Sequence, residues 1–576
     1  MGKLWVCDDE PSTRFPVFTR GNIGEVFGQP VSPLTWTTLG VWALERGWRE
    51  GYYEMGLFTP DEFKPLGQAE ILACFGGYLY INMSVLRVLA MRIPGMAVEA
   101  IDRSAFGDHS DVPAYRPDPR DRNAQRAAQG SAWLASLFTV DPLPPTEAIR
   151  ARLDALVARR PDFASLSDAQ LLEHFRSHVE ELRIQWQRHV LISSGAMVLT
   201  GVIAQICQGV DATGLAAKIS AALGDVESAR QSFELWDLSR VVRASPLLMA
   251  SFDQGVDDLL DRGGASDHPA AHDFLARWDA FIERWGYVGP NMYELRSPTY
   301  RSEPAIALRM LDRARYAPDT SAPARRAAEA AGERKTAIEE ITRRLAGTPA
   351  VRDQFLAAAR SAPAYLAGRE RCKMQCAFVI DAARAPLREL GRRLIERELL
   401  TRWEDVLMVT DAEADDFVAR PAAYVDIIGG RTAQLKVLES KAPPFVFAGV
   451  PPPLSAYKDR DSGRVEPAAA GARLSGIGVS PGRYTGRAHV VTSLTADSGL
   501  ESGEIIVAPI TDSSWGPLFL AAGAVVVETG SAISHAAIVS RELGIPAVAS
   551  LTHATRLIPN RTMITVDGST GTVTVH

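Results

Sequence analysis

VVVETGSAISHAAIVSRELGIPAVAS, residues 525–550, changes texture twice in a short span. Val525, Val526 and Val527 form a β-branched run that predicts a buried strand. Thr529, Gly530 and Ser531 then supply a turn, Ser534 and His535 open a helix, and Gly544 and Pro546 close it. His535 therefore belongs at a helix N-terminus. The unsatisfied N–H groups and positive dipole end found there suit an anion, so a phosphoryl group carried on this imidazole would be stabilised. A neutral imidazole is available near pH 7 and its nitrogen is a competent nucleophile. The pattern favours a phosphate-carrying histidine over a metal ligand, with Thr529, Gly530, Ser531 and Ser534 as its loop.

Outward from this motif, residues 474–576 continue as short β-branched runs at 488–492, 504–508, 524–528, 563–566 and 572–575, separated by Gly and Pro turns. That spacing predicts a compact α/β domain. The preceding stretch, 441–473, carries a Pro cluster and no sustained period, and is expected to be a semi-rigid linker. From 134 to 399 the pattern is helical, as where Leu171, Leu172, Phe175, Val179, Leu182 and Ile184 recur at helical spacing. Residues 103–129, charged and broken by Pro, are expected to be a surface loop. The fold class is multidomain α and α/β: a large helix-rich acceptor domain over 1–440, a linker over 441–473 and a β/β/α domain over 474–576.

Composition narrows the function classes. The chain has 576 residues, too many for one core. A net charge of -7, with Lys and Arg interspersed among acids, argues against a nucleic-acid partner. The N-terminus turns acidic before any apolar run develops, and no stretch of about 20 uncharged apolar residues is expected, so the reading is a cytoplasmic protein without a membrane partner. Cys372 and Cys376, at i, i+4, cannot complete a tetrahedral site alone, and the pairs His174/His178 and His268/His272 lack acidic partners, so no metal site is assigned. The sequence contains no GxxxxGK[ST] phosphate loop.

The segment from Leu474 resembles the swivelling phosphohistidine domain of the phosphoenolpyruvate-utilising family, which includes the dikinases and rifampin phosphotransferase. LSGIGVSPGRYTGRAHVV (474–491) resembles its opening strands and DSSWGPLFLAAGAVVVETGSAISHAAIVSRELGIPAV (512–548) its phosphohistidine signature, with Ser531 where the family usually has a second Gly. FTRGNIGEVFGQPVSPLTW (18–36) is similar to the start of the substrate domain in the rifampin phosphotransferase branch. RWGYVGPNMYELRSPTYRSEP (284–304) resembles that branch's GHRGPGE segment. There Tyr287, Val288 and Met292 depart from the pattern while Glu294 agrees, which implies an altered pocket in which Tyr287, Met292 and Glu294 bind substrate. In GRERCKMQC (368–376), Arg369, Glu370 and Lys373 reproduce an R-E-x-x-K pattern. On a helix Arg369 and Lys373 lie one turn apart, so two cations can converge on one anion while Glu370 serves as general base.

The resemblance implies a phosphotransferase subunit. A separate ATP-grasp partner, holding ATP and Mg, would charge His535, since only seventeen residues precede the 18–36 segment and the chain stops at His576. The linker would swing the loaded domain, and a hydroxyl of a small organic substrate, such as a secondary metabolite, would accept the phosphoryl group. Phenylphosphate synthase divides the labour between chains in the same way. Two alternatives stay open: a lyase, dehydratase or cyclase that phosphorylates a hydroxyl to expel it, and a non-catalytic regulatory protein that keeps the fold.

Overall fold

Short strands with aromatic faces organise the N-terminal half. The computed structural model describes residues 4–106, 112–139, 146–460, 465–494, 499–531 and 534–576. The chain divides into two compact units, each built from non-contiguous segments: Met1–Gly195, Tyr293–Ser297 and Cys372–Gly463 form the first, and Ala196–Met292, Pro298–Arg371 and Arg464–His576 the second. The helix Pro349–Glu396 contributes residues to both, as does Asp168–Gly209.

In the first unit the strands are β1 (Val17–Thr19), β2 (Leu72–Phe75), β3 (Tyr78–Asn82), β4 (Lys441–Ala442), β5 (Val446–Ala448) and β6 (Lys458–Asp459). Four of them make an antiparallel sheet in the order β2-β3-β1-β5, and β4 pairs with β6. Gly76 and Gly77, both at positive φ, turn β2 into β3. A Cβ on Gly76 would stand 2.5 Å from the Tyr457 hydroxyl, so a side chain is excluded there by contact as well as by conformation. Phe18, Phe75, Tyr80 and Phe447 pack edge-on and stacked over this sheet.

Part of the segment expected to be a linker, 441–473, is structured: it carries β4, β5 and β6 and a 3₁₀ turn at Leu454–Ala456, while residues 461–464 lie outside the described residues. Phe447 is buried with β5 on the edge of β1, and the Tyr78 hydroxyl sits on the carbonyls of Leu438 and Lys441. Further on, Ala468 N–H donates to the Leu557 carbonyl and Gly471 N–H to that of Val575. Strands of two or three residues leave no period to detect, and backbone hydrogen bonds hold them, β5 on the edge of β1 and β4 on β6. The ends of the expected 103–129 loop are likewise helical, in Val98–Phe106 and Ala124–Leu137; residues 107–111 lie outside the described residues. Asn123 caps the second helix by accepting from Arg126 N–H, and alanines outweigh the charges that suggested a loop.

The second unit carries helices Glu227–Ala244, Pro269–Trp285 and Pro323–Arg344, and an eight-stranded sheet. Its strands are β7 (Arg473–Ser475), β8 (Ile477–Ser480), β9 (Arg483–Val490), β10 (Ile505–Ala508), β11 (Ala524–Val527), β12 (Ala547–Ala549), β13 (Met563–Asp567) and β14 (Thr572–Val575), in the order β7-β14-β13-β9-β10-β11-β12-β8. The β9-β10-β11-β12 pairings are parallel and the rest antiparallel. Strands β10, β11 and β12 are buried at every residue, as parallel strands covered on both faces must be, which explains their unbroken Ile, Val and Ala runs. The multidomain α and α/β class is therefore observed.

One expectation is corrected. Residues 190–210 contain no Asp, Glu, Lys or Arg, and the helix Asp168–Gly209 that holds most of them is long and apolar enough to cross a membrane by length and composition.

Candidate active site

His535 is the first residue of the helix His535–Glu542. Ser534 stands at its N-cap with extended backbone, and its hydroxyl accepts from Ala537 N–H at 3.4 Å. Gly544, at φ +63°, ends the helix as the sequence predicts. The imidazole is 2% exposed, with Nδ1 3.4 Å from Thr511 Oγ1 and the ring 6.0 Å from that of Phe519.

The loop leading in is held by its own backbone. Thr529 N–H donates to the Pro509 carbonyl at 3.1 Å, Ser534 N–H to that of Ser531 at 3.0 Å, and the Ser550 hydroxyl to that of Gly530. A Cβ on Gly530 would lie 3.1 Å from both Ala549 Cβ and Ser534 Oγ, a tight fit that a side chain could take only by shifting these neighbours. Ser531 is buried here.

Within the second unit this helix lies against Glu227–Ala244. Ile538, one turn after His535, packs on Val226 and Ala229. The 3₁₀ helix Ser513–Leu520, which Asp512 caps, is gripped beside it. Gln231 Nε2 donates to the Ser513 carbonyl, and the Tyr300 hydroxyl lies 3.0 Å from the Ser514 carbonyl and 3.1 Å from Gln231 Oε1. Asn291 N–H donates to Asp512 Oδ2 at 2.7 Å. Burial pushes the Tyr300 phenol well above its ordinary range, so it stays a neutral donor.

The start of the 227–244 helix also reaches the R-E-x-x-K helix. Ser228 Oγ donates to Glu370 Oε2 at 2.7 Å, and Arg369 pairs with the Glu370 carboxylate. Val226 and Ala229 thus hold the helix of His535 while Ser228 holds Glu370. Arg369, Glu370 and Lys373 are all buried, Glu370 completely. A solvated helix face would not look like this, because burying charge is costly unless it is paired. Lys373 stands one turn further along, in the part of the helix that belongs to the first unit, and its carbonyl accepts from the Tyr293 hydroxyl at 3.0 Å.

The three residues expected to bind substrate are not brought into one unit. Tyr287 and Met292 are buried in the second, Tyr287 with its ring 6.5 Å from that of Trp285. Glu294 is in the first, 0% exposed, where its carboxylate accepts from Ser32 N–H (3.2 Å), Ser32 Oγ (2.6 Å) and Thr35 Oγ1 (2.9 Å). It ties the 18–36 segment to the strip Tyr293–Ser297 within the first unit. Arg384, fully buried, donates to the backbone carbonyls of Glu294 and Leu295 and fixes the same strip.

Thr511, Ser228, Gln231, Tyr300, Ser32 and Thr35 were not legible as site residues. Thr511 carries a weak signal, being adjacent to the 512–548 stretch; the others act through partners far away in sequence.

Residues 188–370 match the family described as rifampicin phosphotransferase fourth domain, and residues 500–571 the PEP-utilising enzyme, mobile domain. An uncharacterized protein of Mycobacterium tuberculosis (strain H37Rv) is 28% identical over 98% of this chain and 62% of its own length. The prodigiosin synthesizing transferase PigC of Serratia marcescens is 28% identical over 63% of this chain and 40% of its own. A rifampicin phosphotransferase of a Streptomyces species is 30% identical over 60% of this chain and 40% of its own. The chain spans less than two thirds of the length of these curated relatives. Both matched domains lie where the helical body and the histidine-bearing sheet were found, and over them the chain resembles the PEP-utilising enzymes of the rifampicin phosphotransferase kind.

Proposed function

We propose that this chain is the carrier and acceptor part of a phosphotransferase, in which His535 receives a phosphoryl group and delivers it to a hydroxyl of a small organic substrate. The observation that carries the reading is the position of His535 at the start of a helix in a PEP-utilising mobile domain, packed on the same 227–244 helix that holds Glu370. In the tautomer in which Nδ1 carries the proton and donates to Thr511 Oγ1, Nε2 is the nucleophile. It attacks phosphorus, the bond from phosphorus to the donor's leaving oxygen breaks, and a phosphoramidate forms. The acceptor oxygen then attacks phosphorus, the P–N bond breaks with its electron pair returning to the imidazole, and the acceptor proton passes to Glu370. Arg369 and Lys373 neutralise charge on the transferring group, which is what this reaction class needs most.

The donor is a separate ATP-grasp protein carrying ATP and Mg. An imidazole 2% exposed in the packed arrangement is out of a donor's reach, so the cycle includes release of the mobile domain by a swivel. Similarity to a rifampicin phosphotransferase and to a prodigiosin synthesizing transferase supports a secondary-metabolite acceptor.

The test separates charging from transfer. With an ATP-grasp partner and ATP radiolabelled in the β-phosphoryl, His535→Ala removes both the acid-labile, alkali-stable label and the product. Arg369→Ala and Lys373→Ala keep the label and lose about a hundred- to a thousandfold in transfer rate. Label surviving in His535→Ala ends the proposal; loss of label in the two helix variants moves their role to the charging step.

A further inference from the structure

At the far end of the His535 helix, within the second unit, lies a cavity of about 100 Å³ that the phosphoryl chemistry leaves unused. It is several times the roughly 15 Å³ needed to admit one water. Its walls come from two places. Ser480, Pro481, Arg541 and Gly544 belong to the mobile domain, while Lys218, Arg326, Glu329 and Glu333 belong to the helical body.

The charges on these walls do not cancel among themselves. Lys218 pairs with Glu333 at 3.0 Å and Glu329 with Arg325 at 3.1 Å, so both carboxylates are engaged. Among the described residues, Arg326 and Arg541 have no carboxylate within ion-pair distance. Arg326 donates to Ser321 Oγ at 3.1 Å. Arg541 is 4% exposed and lines the cavity, and its Nε donates to the Val479 carbonyl at 2.6 Å. Burial lowers the Arg541 pKa to about 10 against the opposing field of Glu542, and that of Arg326 below its ordinary value against those of Tyr484 and Glu329. A buried guanidinium is a planar fork suited to an oxyanion.

We propose that this cavity is a binding site for a phosphate-type oxyanion, held between Arg541 of the mobile domain and Arg326 of the helical body. An anion there bridges the two parts of the unit and favours their packed arrangement, since it binds well only when both guanidinium groups are present. The site is distinct from His535, which stands at the other end of the helix.

Calorimetry on the full chain with inorganic phosphate, and in a second arm with glycerol 2-phosphate, tests this. One saturable site per chain is expected for at least one probe, weakened about ten- to a hundredfold by Arg326→Ala, as loss of one charge-assisted contact predicts. Binding of phosphate alone identifies the free ion as ligand; binding of the monoester alone identifies a phosphorylated small molecule. Because Arg541→Gln can disturb folding, deuterium exchange on the wild type supplies a second measurement, with slower exchange expected in 541–545 and 326–333 when the probe is bound. His535→Ala should bind the probe as wild type does, so this result does not depend on the phosphohistidine reading. No heat at 10 mM of either probe, or affinity unchanged by Arg326→Ala, overturns the site.

Discussion

Replacing Glu294 by Ala should unfold the first unit more readily rather than merely weaken a ligand. The carboxylate is fully buried and accepts from Ser32 N–H, Ser32 Oγ and Thr35 Oγ1. After truncation the two hydroxyls, 2.7 Å apart, can satisfy one another in part, which leaves the Ser32 N–H and one hydroxyl proton without acceptors. Two stranded donors at about 1–3 kcal/mol each, less the desolvation cost no longer borne by the carboxylate, give a loss of about 3 kcal/mol. Glu294→Gln keeps the volume and one acceptor oxygen, so about half of that is expected. The tryptophans of the first unit, buried Trp36 beside Thr35 among them, report the transition by fluorescence during urea unfolding. At a slope of about 2 kcal/mol per molar, the midpoint of Glu294→Ala should fall by 1–2 M with the slope unchanged. A midpoint within about 0.2 M of wild type would show that the cage contributes nothing to stability and would return Glu294 to the substrate pocket.

Two further outcomes follow from the packing. Tyr300→Phe strands the Ser514 carbonyl and Gln231 Oε1, a cost of about 1–3 kcal/mol, so amides of 513–520 should exchange about five- to a hundredfold faster; unchanged exchange would mean that this grip does not hold the segment. Burial, with Glu45 and Asp8 nearby, pushes the Asp9 carboxyl up to about 7 from 3.8. The folded state then binds more protons than the unfolded chain across that window, so stability falls as pH rises through it and is level above. Asp9→Asn keeps an acceptor for Cys74 N–H and removes the penalty, so its advantage over wild type should be about 1.5 kcal/mol at pH 5 and grow toward an upper limit of about 4 kcal/mol at pH 8. An equal difference at the two pH values, by urea midpoint, would refute the assignment.

Local rules carried the reading of the C-terminal domain. Ser534 before His535, Gly544 and Pro546 after the helix, and the all-apolar runs of β10 and β11 are signals set by neighbours in sequence, so helix start, helix stop and buried strand were each readable. The R-E-x-x-K pattern was visible as spacing on a helix. Its burial was not, because that depends on Ser228, more than a hundred residues away, arriving at Glu370. The same reason hid the strands in 441–459, since β5 exists through its pairing with β1 and β4 through its pairing with β6. Glu294 shows the division most clearly. Its sequence neighbourhood resembled a substrate segment, yet the groups around its carboxylate, Ser32 and Thr35, lie 262 and 259 residues away in sequence. Periodicity and capping are local and travel with the sequence; which buried carboxylate meets which hydroxyl is decided by long-range closure of the chain, and only the tertiary structure records it.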